Sequence, residues 1–254
     1  MHVHESGPPA APTIVFLHGT GANADMWAHH TEYFADYHCL IPQFPGFGHS
    51  AAEPWVSLDA LLADIAALID DRAGGRAHVV GISLGGVVAM KLLAARPELV
   101  DHAVVDGAGV LPFPALPLIK LGMRGIRPFI KTDMVTGIIA GALGFPGSAR
   151  ENFRRNFRQM SSHAFVNAII AALDFREPRG LRGALNPTLF VAGEREPQAT
   201  RDSNRMLAQA MANATARVVP GRHHGWIAAD PLLHCRMVEA WINDRPLPAG
   251  LLAA

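Results

Sequence analysis

Six short apolar runs, separated by stretches of helical periodicity, constrain this chain more than any other feature. They are "TIVFLH" (13–18), "HCLIPQ" (38–43), "AHVVGIS" (77–83), "DHAVVDG" (101–107), "PTLFVAG" (187–193) and "ARVVPG" (216–221). Each is rich in β-branched residues and stops at Gly, Pro or a polar residue, as strands buried on both faces do. Parallel neighbours need long crossovers, and the intervening segments supply them. "SLDALLADIAALIDD" (57–71) places Leu58, Leu61, Leu62, Ile65, Leu68 and Ile69 on one helical face, with Ser57 as N-cap. "GGVVAMKLLAARPELV" (85–100) repeats the pattern and stops near Pro97, and "PLLHCRMVEAWIND" (231–244) gives a last helix with Pro231 in its first turn. The expectation is a doubly wound, mostly parallel α/β sheet. Half of the residues are hydrophobic and 17% are charged, which suits one well-buried core.

One region breaks the alternation. Residues 111–182 hold no convincing strand and run through helical, Gly-interrupted segments such as "GIIAGALGF" and "AFVNAIIAALDF". Helices inserted between two strands of a parallel sheet read as a cap over the strand ends. The expected division is a core of 1–110 and 183–254 with a helical cap at 111–182.

Several function classes fall away. The formal net charge is zero, which argues against a dedicated nucleic-acid binder. Cys39 and Cys235 are too few and too far apart for a disulfide framework or a metal cluster, and read as buried small hydrophobes. His2 and His4 alternate on one face of a possible edge strand, but two ligands are too few for a metal site; no metal and no cofactor are expected. No Gly-x-Gly-x-x-Gly or Walker-type loop follows the first strand. "MHVHESGPPAAP" lacks the basic and apolar regions of a signal peptide, and no apolar run reaches the ~20 residues of a bilayer span. A cytoplasmic protein without stable membrane insertion is the expectation; the sequence sets no oligomeric state.

Chemistry concentrates at "GISLGG". Gly81-Ile82-Ser83-Leu84-Gly85 follows a strand and opens a helix, the context that a nucleophile elbow requires. The serine must sit on a sharp turn, and the flanking positions come so close to backbone that only small residues fit. The new helix's N-terminus offers free N–H groups to a developing oxyanion. "LHGTGAN" (17–23) ends the first strong strand; its His-Gly pair lets the chain turn back, so that the Thr20 N–H could pair with that of Leu84 in an oxyanion hole. His18 reads as a structural hydrogen-bonder rather than a proton shuttle.

"FLHGTG", "FPGFGHS", "VVGISLGG", "PTLFVAGEREP" and "VPGRHHGW" occur in the order and spacing of the α/β-hydrolase superfamily, which the chain resembles over nearly its whole length outside the cap. It looks like the lid-bearing branch of small esterases, lactonases, C–C bond hydrolases and perhydrolases. The resemblance implies an α/β-hydrolase sheet with an inserted helical cap, and an acyl-enzyme mechanism with nucleophile, acid and histidine in that chain order. Ser83 disfavours the dehalogenases and epoxide hydrolases of this fold, which attack through an aspartate. Gln43 stands where similar proteins often carry an aspartate, which puts in doubt any loop contact made by that carboxylate. For the acid, Glu196 occupies the motif's carboxylate position, although that position usually holds aspartate. Asp106, ending the strand after the elbow helix, is the alternative acid, and Glu194 is a third candidate that reads rather as a turn charge. The histidine implied is His224, three residues beyond the strand-end Pro-Gly, with His223 its loop neighbour.

The cap is basic: eleven Lys and Arg stand against four Asp and Glu between 111 and 182, a net +7 in a neutral chain. Lys120, Arg124, Arg127 and Lys131 are spaced to share one helix face, and Arg150, Arg154 and Arg158 repeat at i, i+4 beside Phe153 and Phe157. They read either as the solvated outside of an amphipathic lid or as groups at the entrance that steer an anionic substrate; docking at a membrane surface is a third reading. Trp27 and Trp226 flank the pocket in sequence, beside the site or in core. The expected partner is a small-molecule acyl substrate, an anionic one if the cap's cations face the entrance, cleaved by Ser83, His224 and Glu196 with Thr20 and Leu84 holding the oxyanion. C–C hydrolysis or perhydrolysis by the same residues, and a hydrolase-fold receptor with little turnover, are the rival readings.

Overall fold

A computed structural model describes residues 1–254, the Ser148 side chain excepted. An antiparallel edge strand, β1 (Val3–Ser6), precedes the six parallel strands β2 (Thr13–Leu17), β3 (His38–Pro42), β4 (Ala77–Ile82), β5 (Val100–Asp106), β6 (Thr188–Gly193) and β7 (Ala214–Val219). A short β8 (Leu252–Ala253) runs antiparallel beside β7 and closes the other edge. The spatial order is β1-β3-β2-β4-β5-β6-β7-β8. All six apolar runs therefore became parallel strands. β8 carried no signal in the sequence, because a two-residue strand has no measurable period.

Ten α-helices accompany the sheet: α1 (Ala28–Tyr33), α2 (Leu58–Arg72), α3 (Leu84–Ala95), α4 (Leu116–Ile126), α5 (Asp133–Ala142), α6 (Gly147–Gln159), α7 (Ser162–Asp174), α8 (Gln198–Ala210), α9 (Trp226–Ala229) and α10 (Pro231–Ile242). Strand residues alternate between two cores. Val15 and Leu17 of β2 join the cluster formed with α2, α3 and α8, while Ile14 and Phe16 join Trp27, Trp226 and the apolar face of α10. Ser57 caps α2 by accepting the Ala60 N–H at 3.1 Å, as its position in the sequence predicts. Asp230 does the same for α10, ahead of Pro231.

The segment between β5 and β6 is all helix, α4 to α7, and it is tied to the loops at the sheet's C-terminal end. Asn156 of α6 exchanges amide hydrogen bonds with Asn23, and the Ser161 N–H donates to the Gly46 carbonyl at 2.8 Å. Phe153 and Phe157 are buried, as the spacing of α6 predicts. The four-cation face expected over 120–131 does not run through. α4 ends at Ile126 and Arg127–Phe129 form a 3-10 turn, because Pro128 brings no N–H to continue the helix. No helix among the described residues is long and apolar enough to cross a membrane.

Candidate active site

The Gly81–Gly85 turn folds as its composition demands. Ser83 joins β4 to α3 at φ 56° and ψ −114°, a region that non-glycine residues occupy at a cost of order 1–3 kcal/mol. The turn is so tight that a Cβ on Gly81 would lie 2.3 Å from the Gly85 carbonyl oxygen, and one on Gly85 would lie 2.1 Å from that of Leu17. Leu84 is the first residue of α3, where backbone N–H groups have no intrahelical acceptor. The end of β2 closes on the same spot: a Cβ on Gly19, the residue before Thr20, would meet the Ser83 Cβ at 3.3 Å. His18 braces this loop from inside. Its Nδ1 donates to the Gly19 carbonyl at 2.8 Å, and its Nε2 accepts the Phe44 N–H at 3.0 Å. Burial pulls its pKa down to about 4, which keeps the ring neutral.

β7 ends at Val219, and the loop after it presents His224 to Glu196, from the loop after β6. The Nδ1–H of His224 donates to Oε2 of Glu196 at 2.8 Å, while Oε1 accepts the Gly193 N–H at 3.0 Å. The second bond folds the longer glutamate back over its own turn and fixes the carboxylate. Burial alone would lower the His224 pKa. The charge and hydrogen bond of Glu196, with a smaller contribution from Asp106, leave it above the ordinary imidazole value.

The other two carboxylates are employed elsewhere. Glu194 accepts the Gly221 N–H at 2.6 Å and serves the turn. Asp106 is fully buried; its Oδ1 accepts the Trp226 indole N–H at 3.3 Å, and its Oδ2 lies 3.7 Å from Nε2 of His234. Burial, reinforced by the charge of Glu196, pushes its pKa well above the carboxylate range. Glu196, through both its charge and its hydrogen bond, is thus the main source of the stabilisation of the His224 cation, and Asp106 the smaller one. Trp27 is core, packed on Phe16 at 5.0 Å between ring centroids. At Gln43, the amide does what a carboxylate alone could not: Oε1 accepts the His49 N–H at 2.9 Å while Nε2 pairs with His2 Nδ1 at 3.2 Å. Both cysteines are buried, with thiols pushed up to about 11 and 12.

Ser83, Glu196 and His224 line one cavity of about 270 Å³. Val87, Ala108, Phe113, Ile169 and Leu173 give it an apolar wall, to which the inserted helices α5 and α7 contribute. None of the eleven cations of 111–182 is among its lining residues. Several are paired outside it: Lys120 with Asp174, Arg155 with Asp25 at 3.4 Å, Arg158 with Asp133 at 2.7 Å, and Arg182 with Glu177. The cation that does line the cavity is Arg195, one residue before Glu196 and 3.5 Å from Nε2 of His223. Gly107 was also missed in the sequence. It sits at φ +58°, and a Cβ there would lie 2.6 Å from Cε1 of His224 and 3.3 Å from Oε2 of Glu196. Its signal was the glycine ending the fourth apolar run, directly after Asp106.

The sequence model of the Alpha/beta hydrolase family matches residues 14–233, and the chain belongs to that family. It is 30% identical to an AB hydrolase superfamily protein of Gibberella zeae, over 97% of this chain and 86% of that one. It is 23% identical to 3-oxoadipate enol-lactonase 2 of Acinetobacter baylyi, over 85% of this chain and 84% of the relative. The structure superposes on MGS-M2, an alpha/beta hydrolase enzyme from a Medee basin deep-sea metagenome library. That match has a TM-score of 0.84 and 18% identity, covering 97% of this chain and 95% of the other.

Proposed function

We propose that the protein is a serine hydrolase acting on a small ester, thioester or lactone through an acyl-enzyme. The reading is carried by the 2.8 Å Glu196–His224 hydrogen bond at the wall of the cavity that holds Ser83. His224 Nε2 takes the proton of the Ser83 hydroxyl as Oγ attacks the carbonyl carbon, and Glu196 holds the imidazolium that forms. The N–H groups of Thr20 and Leu84 receive the negative charge on the tetrahedral oxygen. His224 then returns the proton to the leaving group and activates water to release the acyl chain. Residues 111–182 act as a cap, whose α5 and α7 limit the acyl group to a small one.

Rapid mixing with p-nitrophenyl acetate tests this. A burst of nitrophenolate near one equivalent per chain, absent in Ser83→Ala, is expected. A burst that survives in Ser83→Ala, or no turnover of any small ester by the wild-type protein, would overturn the reading and favour a hydrolase-fold receptor.

A further inference from the structure

At the other end of the sheet, β4 and β5 are paired out of step. Ala77 faces Val100 and Val79 faces Ala103, so that His78 alone opposes two residues, Asp101 and His102. Such a bulge is uncommon between parallel strands, and bulges re-aim side chains. Here it gathers three potential metal ligands whose donor atoms all lie within 4.8 Å of one another. His78 Nδ1 is 4.0 Å from Asp101 Oδ2, and His102 Nδ1 is 3.6 Å from Asp101 Oδ1.

The two imidazoles are each only 8% exposed, and both Nδ1 atoms are buried without a hydrogen-bond partner among the described residues. Buried polar atoms are rarely left so. His102 has its other nitrogen engaged: Nε2 donates to Asp244 Oδ1 at 3.3 Å, which leaves the lone pair on Nδ1, the atom 3.6 Å from Asp101 Oδ1. A carboxylate behind a histidine in this way is the usual outer support of a metal ligand. Arg76 holds Asp101 Oδ1 at 2.8 Å and leaves Oδ2 for the opening toward His78. The charged groups facing the cluster are thus Asp101, Asp244 and Arg76, with a net charge that favours a cation.

From these contacts we infer that His78, Asp101 and His102 form a binding site for a divalent transition-metal ion of the zinc class, with Asp244 orienting His102. Two imidazoles and one carboxylate are donors that suit Zn²⁺. Ligands held at ~2.0–2.2 Å in a tetrahedron lie about 3.4 Å apart, so small side-chain rotations close the observed spacing. Asp101 is 39% exposed, which leaves the fourth position open to solvent. Ser83 lies five positions beyond His78, just past the end of β4, about 16 Å at the usual strand rise. The ion would therefore pin the β4, β5 and post-α10 segments together, away from the acyl chemistry.

The full chain, stripped with chelator, is titrated with Co²⁺ and read by its visible d–d absorption. Back-titration with Zn²⁺ and the melting temperature with and without Zn²⁺ follow. The expected result is a Co²⁺ equivalent displaced by Zn²⁺, with a Zn²⁺-dependent rise in Tm. Asp101→Ala, at a half-exposed position where the metal-free Tm should hold, and His102→Gln should each weaken that equivalent at least tenfold. Asp244→Asn should weaken it by about tenfold, and His2→Ala/His4→Ala should leave it intact. Absence of the Co²⁺ band, equal affinity in Asp101→Ala and wild type, or loss of the band in His2→Ala/His4→Ala would each overturn the assignment.

Discussion

Gly107→Ala tests the arrangement around His224 with one methyl group. The new Cβ would lie 2.6 Å from Cε1 and 2.7 Å from Nδ1 of His224. Carbon atoms in contact prefer ~3.5–4.0 Å, so the imidazole must retreat by about 1 Å. Glu196 Oε2, at 3.3 Å from the same Cβ, blocks part of that retreat. Displacement of a reacting group by that amount costs on the order of 100-fold in rate. The backbone adds its own cost, because φ +58° is left-handed and alanine there loses ~1–2 kcal/mol. At about 2–4 °C per kcal/mol for a chain of this size, Tm should fall by only a few degrees. Turnover of p-nitrophenyl acetate, measured beside a thermal melt, should thus show a hundredfold loss of kcat in a protein that remains folded. A Gly107→Ala variant with wild-type kcat would refute the idea that turnover depends on the His224–Glu196 geometry.

Other consequences separate the neighbours of the site. His224→Ala should abolish turnover by several orders of magnitude, whereas His223→Ala should change it little; equal losses in steady-state assays would contradict the assignment. Glu196→Gln should lower kcat on the order of 10³–10⁴-fold, while Asp106→Asn, which leaves the Glu196–His224 hydrogen bond in place, should stay within about tenfold. The pH profile gives the sign independently: kcat/KM should rise as His224 loses its proton, with a limb above the ordinary imidazole value of 6.5 because Glu196 favours the cation. Removing that charge in Glu196→Gln leaves burial dominant and should move the residual limb to lower pH. Gly85→Ala, which drives a methyl into the Leu17 carbonyl, should cost at least the ~1–3 kcal/mol of an overpacked core, read as a fall in Tm.

Much of this was legible because it is local in the chain. A strand buried on both faces must be apolar throughout, which exposed β2 to β7; a serine at φ 56° between two crowded glycines leaves Gly-x-Ser-x-Gly behind. Val219 ended its strand where the Pro-Gly pair indicated, so that His224, not His223, reached Glu196. What stayed hidden depends on segments distant in sequence. Gly107 matters only because loops more than 80 residues later fold over it. The basic character of 111–182 left a solvated outer face and steering at the entrance both open; ion pairs such as Arg158–Asp133 form between segments distant in sequence, and the cation lining the cavity, Arg195, comes from the loop after β6. His78 and His102 are unremarkable in sequence; the strand bulge that joins them is a property of register, which no single run reveals.

The central claim is that Ser83 is the nucleophile, and covalent trapping tests it most directly. The protein is treated with a fluorophosphonate, and the intact mass is followed by peptide mapping. One adduct per chain on the peptide containing Ser83 is expected, with labelling slowed strongly in His224→Ala. An unmodified Ser83, or an adduct on another residue at the same rate, would contradict the account.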